Sequence, residues 1–475
     1  MPAERGDLRG ACDRVGRRRV LQGIGGIGIG AIALSGVSVG VQGQGEVQWR
    51  FNADGPVRSS ATVIGDSVFI AGAETVYKLQ LSGDELWRYE LDTAGVIGES
   101  LTATTEAVFF ADTSGNVYRL NEQSGAEEWR FDAGIRVRTT PTLAEGFVVF
   151  GCDVPDPEDA TANAGRVYAV GADDGEEVWR FDFDRDDPVV GSPVVAGDTA
   201  FIGSPDDFLY ALNLVTGSER WRFETGTSVG SGIETAPTVA DGTVFVGSRD
   251  NRVYAVNADT GEERWHVRTN GIVRTTPTVF DGTVFVGSDD ETLYAISTVT
   301  GDERWTFDAG DPIRSSPTVA DGTVFFGAED GTVHAVASAS GDERWQFDTG
   351  GEINSSPTVV DGTLFVGTDN FEFYALDAGV SGSSVDSRIE HRTLGGHDRQ
   401  IGATDEEATA EEGNDGDNGE GEEMADGDGD ETATTDGEDE PTEPDEDQDG
   451  MGALAAIVGV GSAYLLKRRS NRGNT

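Results

Sequence analysis

Four arginines of this 475-residue chain, Arg58, Arg138, Arg274 and Arg314, hold one place in a recurring segment, three residues before a position where proline is commonest. The same place reads Gly98, Val190, Glu234 and Asn354 in four further copies. Guanidinium groups gathered in this way would bind a carboxylate or phosphate ligand, or an acidic peptide, through charge-assisted bidentate hydrogen bonds. The alternative is that each arginine pairs with an aspartate of its own or the next copy. Other chemistries find less support. His266, His334, His391 and His397 are scattered, and His334 stands where the other seven copies carry tyrosine, which reads as packing rather than metal ligation. There is no Gly-x-Ser-x-Gly elbow and no phosphate-cradling loop. Asp445-x-Asp447-x-Asp449-Gly450 opens like a calcium loop, but its twelfth position is Ala456, so loose counter-ion binding is the expectation. Asn354-Ser355-Ser356 is a glycosylation sequon placed where a glycan would obstruct the fold inferred below. No catalytic residue and no metal site is assigned.

The elements that position the arginines follow from the repeat. The proline position falls at Ala61, Leu101, Pro141, Pro193, Pro237, Pro277, Pro317 and Pro357. Seven tryptophans, Trp87, Trp129, Trp179, Trp221, Trp265, Trp305 and Trp345, each follow a glycine by four residues, and Trp49 follows Gly45 in the same way. The copy beginning at Asn354 ends after Tyr374-Ala375-Leu376-Asp377 with no tryptophan, whereas Gly45 to Trp49 is a tryptophan segment with no repeat before it. The two fragments complete each other. A period near 40 with four short strands per unit is the signature of a propeller blade. In the unit Ile272 to Trp305 the strands read Thr275–Phe280, Thr283–Gly287, Leu293–Ser297 and Arg304–Phe307, separated by Asp-Gly, Ser-Asp-Asp and Thr-Gly turns. The expected fold is all-β: an eight-bladed propeller whose eighth blade takes its outer strand from Glu46–Phe51, so that closing the ring hides both free edges.

Composition bounds the partners. The formal charge is −53. Residues 403–449 hold 23 acidic side chains and no basic one, and residues 46–402 hold 61 acidic against 24 basic. Such a surface repels nucleic acid and anionic membrane. Lys78 and Lys467 are the only lysines, beside 32 arginines. Of two cysteines, Cys12 lies in the leader, which leaves Cys152 as a lone thiol and stability to blade packing rather than disulfides.

Five segments follow. Residues 1–45 carry Arg17-Arg18-Arg19 directly before a glycine-diluted apolar stretch, Gly23–Val41, and resemble a twin-arginine export signal; the alternative is an uncleaved anchor. Residues 46–380 are the ring, and 381–402 a linker. Residues 403–450 are an acidic stalk unable to bury enough surface to fold. Residues 451–475 hold a short apolar helix, Met451–Leu466, followed by Lys467-Arg468-Arg469, a membrane anchor or sorting tail whose basic end stays cytoplasmic and leaves the ring outside. The blades are uniform except for insertions between Gly151 and Arg166 and at Thr225–Gly232, which are candidate specificity loops.

Ala255-Val256-Asn257-Ala258-Asp259-Thr260-Gly261-Glu262-Glu263-Arg264-Trp265 resembles the tryptophan-docking motif, Ala-x-Asp-x-x-Thr-Gly-x-x-x-Trp, of the pyrroloquinoline quinone (PQQ) repeat family. That family includes the eight-bladed quinoprotein alcohol dehydrogenases and the propeller lipoprotein of the bacterial outer-membrane assembly machinery. The lysine scarcity resembles proteins of salt-in halophiles, and the stalk, apolar segment and terminal arginines resemble the sorting tail of haloarchaeal surface proteins, with Asp449-Gly450-Met451 where Pro-Gly-Phe usually stands. The resemblance implies that the tryptophans dock between blades. For the dehydrogenases it implies PQQ held with calcium, a carboxylate base and often adjacent cysteines, which this chain lacks. The expected function is therefore an exported, surface-tethered, monomeric, non-enzymatic binding or assembly scaffold. It would meet protein partners or a small anionic ligand at the channel mouth and the membrane through its C-terminal helix. The competing reading is a PQQ- and calcium-dependent alcohol or sugar dehydrogenase.

Overall fold

The computed structural model describes residues 43–98, 100–134, 136–155, 163–183, 191–226 and 232–384. The export signal, the stalk, the apolar tail and Val190 lie outside the described residues. The described chain forms eight four-stranded antiparallel sheets, each a meander of consecutive strands apart from the sheet that joins the two ends of the ring. Blades 1 to 8 are numbered here by their inner strands, which begin at Thr62, Thr102, Thr142, Val194, Thr238, Thr278, Thr318 and Thr358. Blade 6 is representative: Thr278–Phe280, Thr283–Gly287, Thr292–Ser297 and Glu303–Asp308. The inner strand starts three residues later than the sequence suggests. Pro277 has no N–H to give a ladder, and the Thr275 hydroxyl is bonded to Gly287 O at 3.0 Å, so Thr275 to Pro277 approach the sheet without joining it.

The second strands are continuously apolar because each sheet is covered on both faces. Eight core clusters occupy the eight interfaces; the one between blades 5 and 6 packs Phe245, Val253 and Ala255 against Val273, Val284, Val286 and Ile296. The inner and second strands are joined in blade 6 by Asp281 and Gly282, with φ of 46° and 67°, the left-handed pair that a tight hairpin demands. This meander puts two kinds of connection on each face of the ring. The upper face carries the starts of the inner strands and the turns between second and third strands. The lower face carries the Asp-Gly and Thr-Gly turns.

All eight indoles dock as the motif implies. Trp265 Nε1 donates to Thr298 O of the next blade at 3.0 Å, and Trp49 Nε1 donates to Leu81 O at 2.7 Å. Each ring lies on the turn glycine of the following blade: a Cβ on Gly301 would stand 3.0 Å from the Trp265 ring, and one on Gly45 3.0 Å from Trp345. Gly301 also has a φ of 73°, the same as Gly350, where a Cβ would meet open space. The two positions separate conformational strain from packing. Gly350→Ala should cost about 1 kcal/mol, the left-handed penalty alone, and Gly301→Ala about 2–4 kcal/mol because the indole must also move. Equal losses in denaturant titrations of the two variants would show that the glycine serves the turn and not the tryptophan.

Past the last strand, the chain continues to Ser384 rather than loosening at 381. Asp321 Oδ2 accepts from the N–H groups of Ser381 and Gly382 at 3.0 and 2.7 Å, and Ser384 bonds the inner strand of blade 8 through Val359 O at 2.8 Å.

Candidate functional site at the upper mouth of the channel

Three layers of side chains define each inner strand's upper end. In blade 6 they are Arg274, the hydroxyls of Thr275 and Thr276, and Thr278. The hydroxyls are spent on the ring itself. Thr276 N donates to Ser316 Oγ of blade 7 at 2.9 Å, Ser316 N to Ser356 Oγ of blade 8 at 3.0 Å, and Ser356 N to Ser60 Oγ of blade 1 at 3.0 Å. Below them Thr278 Oγ1 donates to Pro317 O at 2.5 Å and Thr358 Oγ1 to Ala61 O at 2.9 Å. The Ser/Thr-Ser/Thr-Pro-Thr run of blades 6 to 8 thus stitches each of them to the next blade.

Above the hydroxyls lies a cavity of about 470 Å³, lined by Arg58, Arg274 and Arg314 together with Glu234, Glu352, Asn354 and Asp369. Three of the four arginines singled out in the sequence therefore meet here, and Arg138 stands apart from the lining. All four are paired. Arg58 holds Asp369 of blade 8 with Nη2 to Oδ2 at 2.8 Å and Nε to Oδ1 at 3.0 Å. Arg274 bridges Asp289 of its own blade at 3.0 Å and Glu234 of blade 5. Arg314 meets Asp289 at 3.3 Å and Glu329 of its own blade. With Arg249 on Glu234 at 2.7 Å, a chain of alternating charge, Arg249–Glu234–Arg274–Asp289–Arg314–Glu329, crosses blades 5 to 7. Arg138 Nε lies 3.4 Å from Asp153 Oδ2. Burial holds the Asp153 carboxyl above the usual carboxylate range although Arg138 and Arg136 oppose the shift.

Asp289, Glu329 and Asp369 sit on the turns between second and third strands, whereas Glu234 and Glu352 precede inner strands, and tyrosines hold such turns in blades 5 and 6. Tyr294 donates to Asp290 at 2.7 Å beside Asp289, and Tyr254 to Asp250 at 2.5 Å beside Arg249. Burial, reinforced by those carboxylates, pushes both phenols up to about 12, and Tyr374, which donates to Glu372, likewise. Unfolded tyrosine ionises near pH 10. The folded pKa is thus raised, so the contribution of these phenols is complete below about pH 10 and is lost as pH climbs from there through about 12. The melting temperature should be insensitive to these groups up to pH 9 and fall steeply by pH 11.5. Phenolate absorbance of the native protein should lag behind that of the protein in denaturant, and coincident curves would refute the shared-proton arrangement.

His334 packs as its position suggests, stacked on Phe326 with ring centroids 5.1 Å apart and Nδ1 3.2 Å from Glu343. Cys152 is fully buried, and burial pushes its thiol up to about 12, which leaves it inert. The described part of the insertion after Gly151 prolongs two strands of blade 3, Phe147–Pro155 and Asn163–Gly171, beyond the five or six residues of their counterparts, and carries them out on the upper face. Among the described residues no group of three or more His, Cys, Asp or Glu side chains is arranged to hold a metal. No helix there is long and apolar enough to cross a membrane.

A ring of eight sheets, closed by the first strand and docked by tryptophans on turn glycines, defines an eight-bladed PQQ-repeat propeller. The chain belongs to the family described as outer membrane protein assembly factor BamB, which matches residues 35–154, 163–275 and 267–379. Similar solved structures include BamB from Moraxella catarrhalis, 18% identical with a TM-score of 0.59 over 70% of this chain and 97% of that one. Quinohemoprotein alcohol dehydrogenase from Comamonas testosteroni is 14% identical, with a TM-score of 0.59 over 70% and 76%. At these identities the likeness is one of fold. A polyvinylalcohol dehydrogenase from a Pseudomonas species is 29% identical over 113 residues, which span 21% of this chain and 18% of that protein.

Proposed function

We propose that the protein is an exported, surface-tethered propeller acting as a non-enzymatic binding or assembly scaffold, with its upper face as the contact surface. The observation that carries this reading is the ion-pair chain across blades 5 to 7. Its guanidinium groups are neutralised in place and its turns in blades 5 and 6 are locked by tyrosines, so the mouth presents a broad, fixed mosaic of charge rather than one reactive group. Fixed alternating charge confers register and partner discrimination more than raw affinity. The twin-arginine segment and the basic-ended apolar tail of the sequence support export and tethering. Membership of the BamB family supports assembly with other proteins. The similarity to dehydrogenases favours the second reading, in which the channel would hold PQQ with calcium.

One experiment separates them. The full chain in multimolar salt is titrated calorimetrically with PQQ and calcium and then assayed for dye-linked oxidation of alcohols and sugars. The expected result is no saturable binding and no dye reduction, with crosslinking on intact cells capturing a protein whose yield falls at least tenfold in Arg274→Glu/Arg314→Glu. One-to-one PQQ binding with dye reduction would place the protein among the dehydrogenases.

A further inference from the structure

The pairing at the mouth leaves a definite remainder. Arg58 uses Nε and Nη2 on Asp369, while Arg274 and Arg314 each use Nε and Nη1 on their carboxylates. Nη1 of Arg58 and Nη2 of Arg274 and Arg314 have no partner among the described residues. On the acceptor side, the carboxylate of Glu352 and the amide of Asn354 are likewise without a hydrogen bond or ion pair there, and both line the same cavity. The lining therefore offers spare donors and spare acceptors in alternation.

Among the residues lining it, Arg58, Arg274 and Arg314 stand against Glu234, Glu352 and Asp369, and Asp289 and Glu329 also sit on Arg274 and Arg314, so the mouth carries no excess of positive charge. An anion entering would have to compete with carboxylates already seated on the guanidinium groups, and a cation would find only the unpaired Glu352 carboxylate, beside three guanidinium groups that repel it. Either would bury an uncompensated charge. A hydroxyl group both donates and accepts, so it can meet a guanidinium N–H and a carboxylate oxygen side by side at no charge penalty. The volume, about 470 Å³, falls within the roughly 300–1,000 Å³ of small-molecule sites.

The geometry points to the upper mouth as a site for a neutral polyhydroxylated ligand, the end of an uncharged saccharide chain, gripped by the free edges of Arg58, Arg274 and Arg314 and by Glu352 and Asn354. This rests on the reading of the upper face as a binding surface. Binding is reversible and no bond of the saccharide is broken.

The test uses the full chain, calorimetry, and four neutral trisaccharides as probes, the trimers of α-1,4-glucose, β-1,4-glucose, α-1,2-mannose and β-1,4-N-acetylglucosamine, with phosphate and acetate in parallel. At least one trisaccharide should bind saturably, and Glu352→Ala and Asn354→Ala should each weaken it at least tenfold. Neither side chain holds another residue in place, so both variants should keep the parent melting temperature. Failure of all four trisaccharides overturns the inference, as does binding indifferent to both substitutions, or saturation by phosphate or acetate instead. The scaffold reading fails separately, when no crosslinked partner depends on Arg274 and Arg314.

Discussion

Removing Glu46–Phe51 should lower the melting temperature by about 15 °C or more and broaden the transition. The strand it disrupts, Val47–Asn52, is only six residues long, but it completes blade 8 from the far end of the sequence. Its register runs from Val47 opposite Leu376 to Asn52 opposite Glu372. Trp49 packs against Phe365 and Phe373, each with ring centroids 5.9 Å away, and Phe51 meets Tyr77 of blade 1 edge-on at 5.1 Å. Both aromatic side chains are partly buried, and losing them costs up to about 3–5 kcal/mol each. The deletion also exposes an edge on Glu372–Asp377 and withdraws the indole from Gly83 of blade 1. A point variant separates these effects. Trp49→Ala should destabilise the ring as much as Trp265→Ala, about 3–5 kcal/mol, because closure uses the same docking geometry as every other interface. An unchanged melting curve on deletion would mean that the ring does not depend on its ends meeting.

That closure was legible because tryptophan and glycine recur at a fixed spacing, and because a tryptophan without a blade and a blade without a tryptophan lie at opposite ends. The constraint is strict because the indole of one blade needs the turn glycine of the next beneath it, so neither residue drifts. The start of the inner strand was less legible. Thr275 and Thr276 look like strand formers, but the Thr275 hydroxyl is committed to Gly287 O of its own blade and the Thr276 N–H to Ser316 Oγ of the next. Nor did the residues after Val380 announce themselves. Ser381 to Ser384 have no alternation to read, and their role depends on Asp321, distant in sequence.

The site divides in the same way. The arginine position was visible as a column of the repeat, but its partners were not drawn from it, although most sit at a constant offset of fifteen: Arg138 with Asp153, Arg274 with Asp289, Arg314 with Glu329, and, with the signs exchanged, Glu234 with Arg249. That offset is the length of an inner strand, a second strand and the turn beyond, so the signal was present. The pairing of Arg58 with Asp369 across 311 residues was not, because Ala73 stands fifteen beyond Arg58 and only ring closure supplies the carboxylate.

The one lysine of the ring poses the sharpest test of how blades 1 and 2 meet. Six of the eight copies place alanine after the conserved aromatic, as in Tyr254-Ala255, yet blade 1 has Lys78 and blade 2 has Arg119. Lys78 is 7% exposed, and its Nζ lies 2.5 Å from Glu122 Oε1 of blade 2 and 3.2 Å from Glu122 O. Glu122 itself is 9% exposed, and its carbonyl also accepts from the Trp87 indole at 3.0 Å. Desolvating both ions offsets most of their attraction, so the pair as a whole adds little, while either ion left alone is costly. Lys78→Ala should therefore destabilise the ring by about 3–5 kcal/mol, with Glu122→Ala in the same range. The double variant, which restores the alanine of the other blades beside an alanine like Ala172 and Ala258, should recover most of the loss. The coupling read from the cycle is then large and favourable even though the pair contributes little net stability. Additive losses would instead mean that solvent reaches the blade 1–2 interface and screens the ions there. In that case the pair would be a surface salt bridge, worth at most about 1 kcal/mol and diminished by salt.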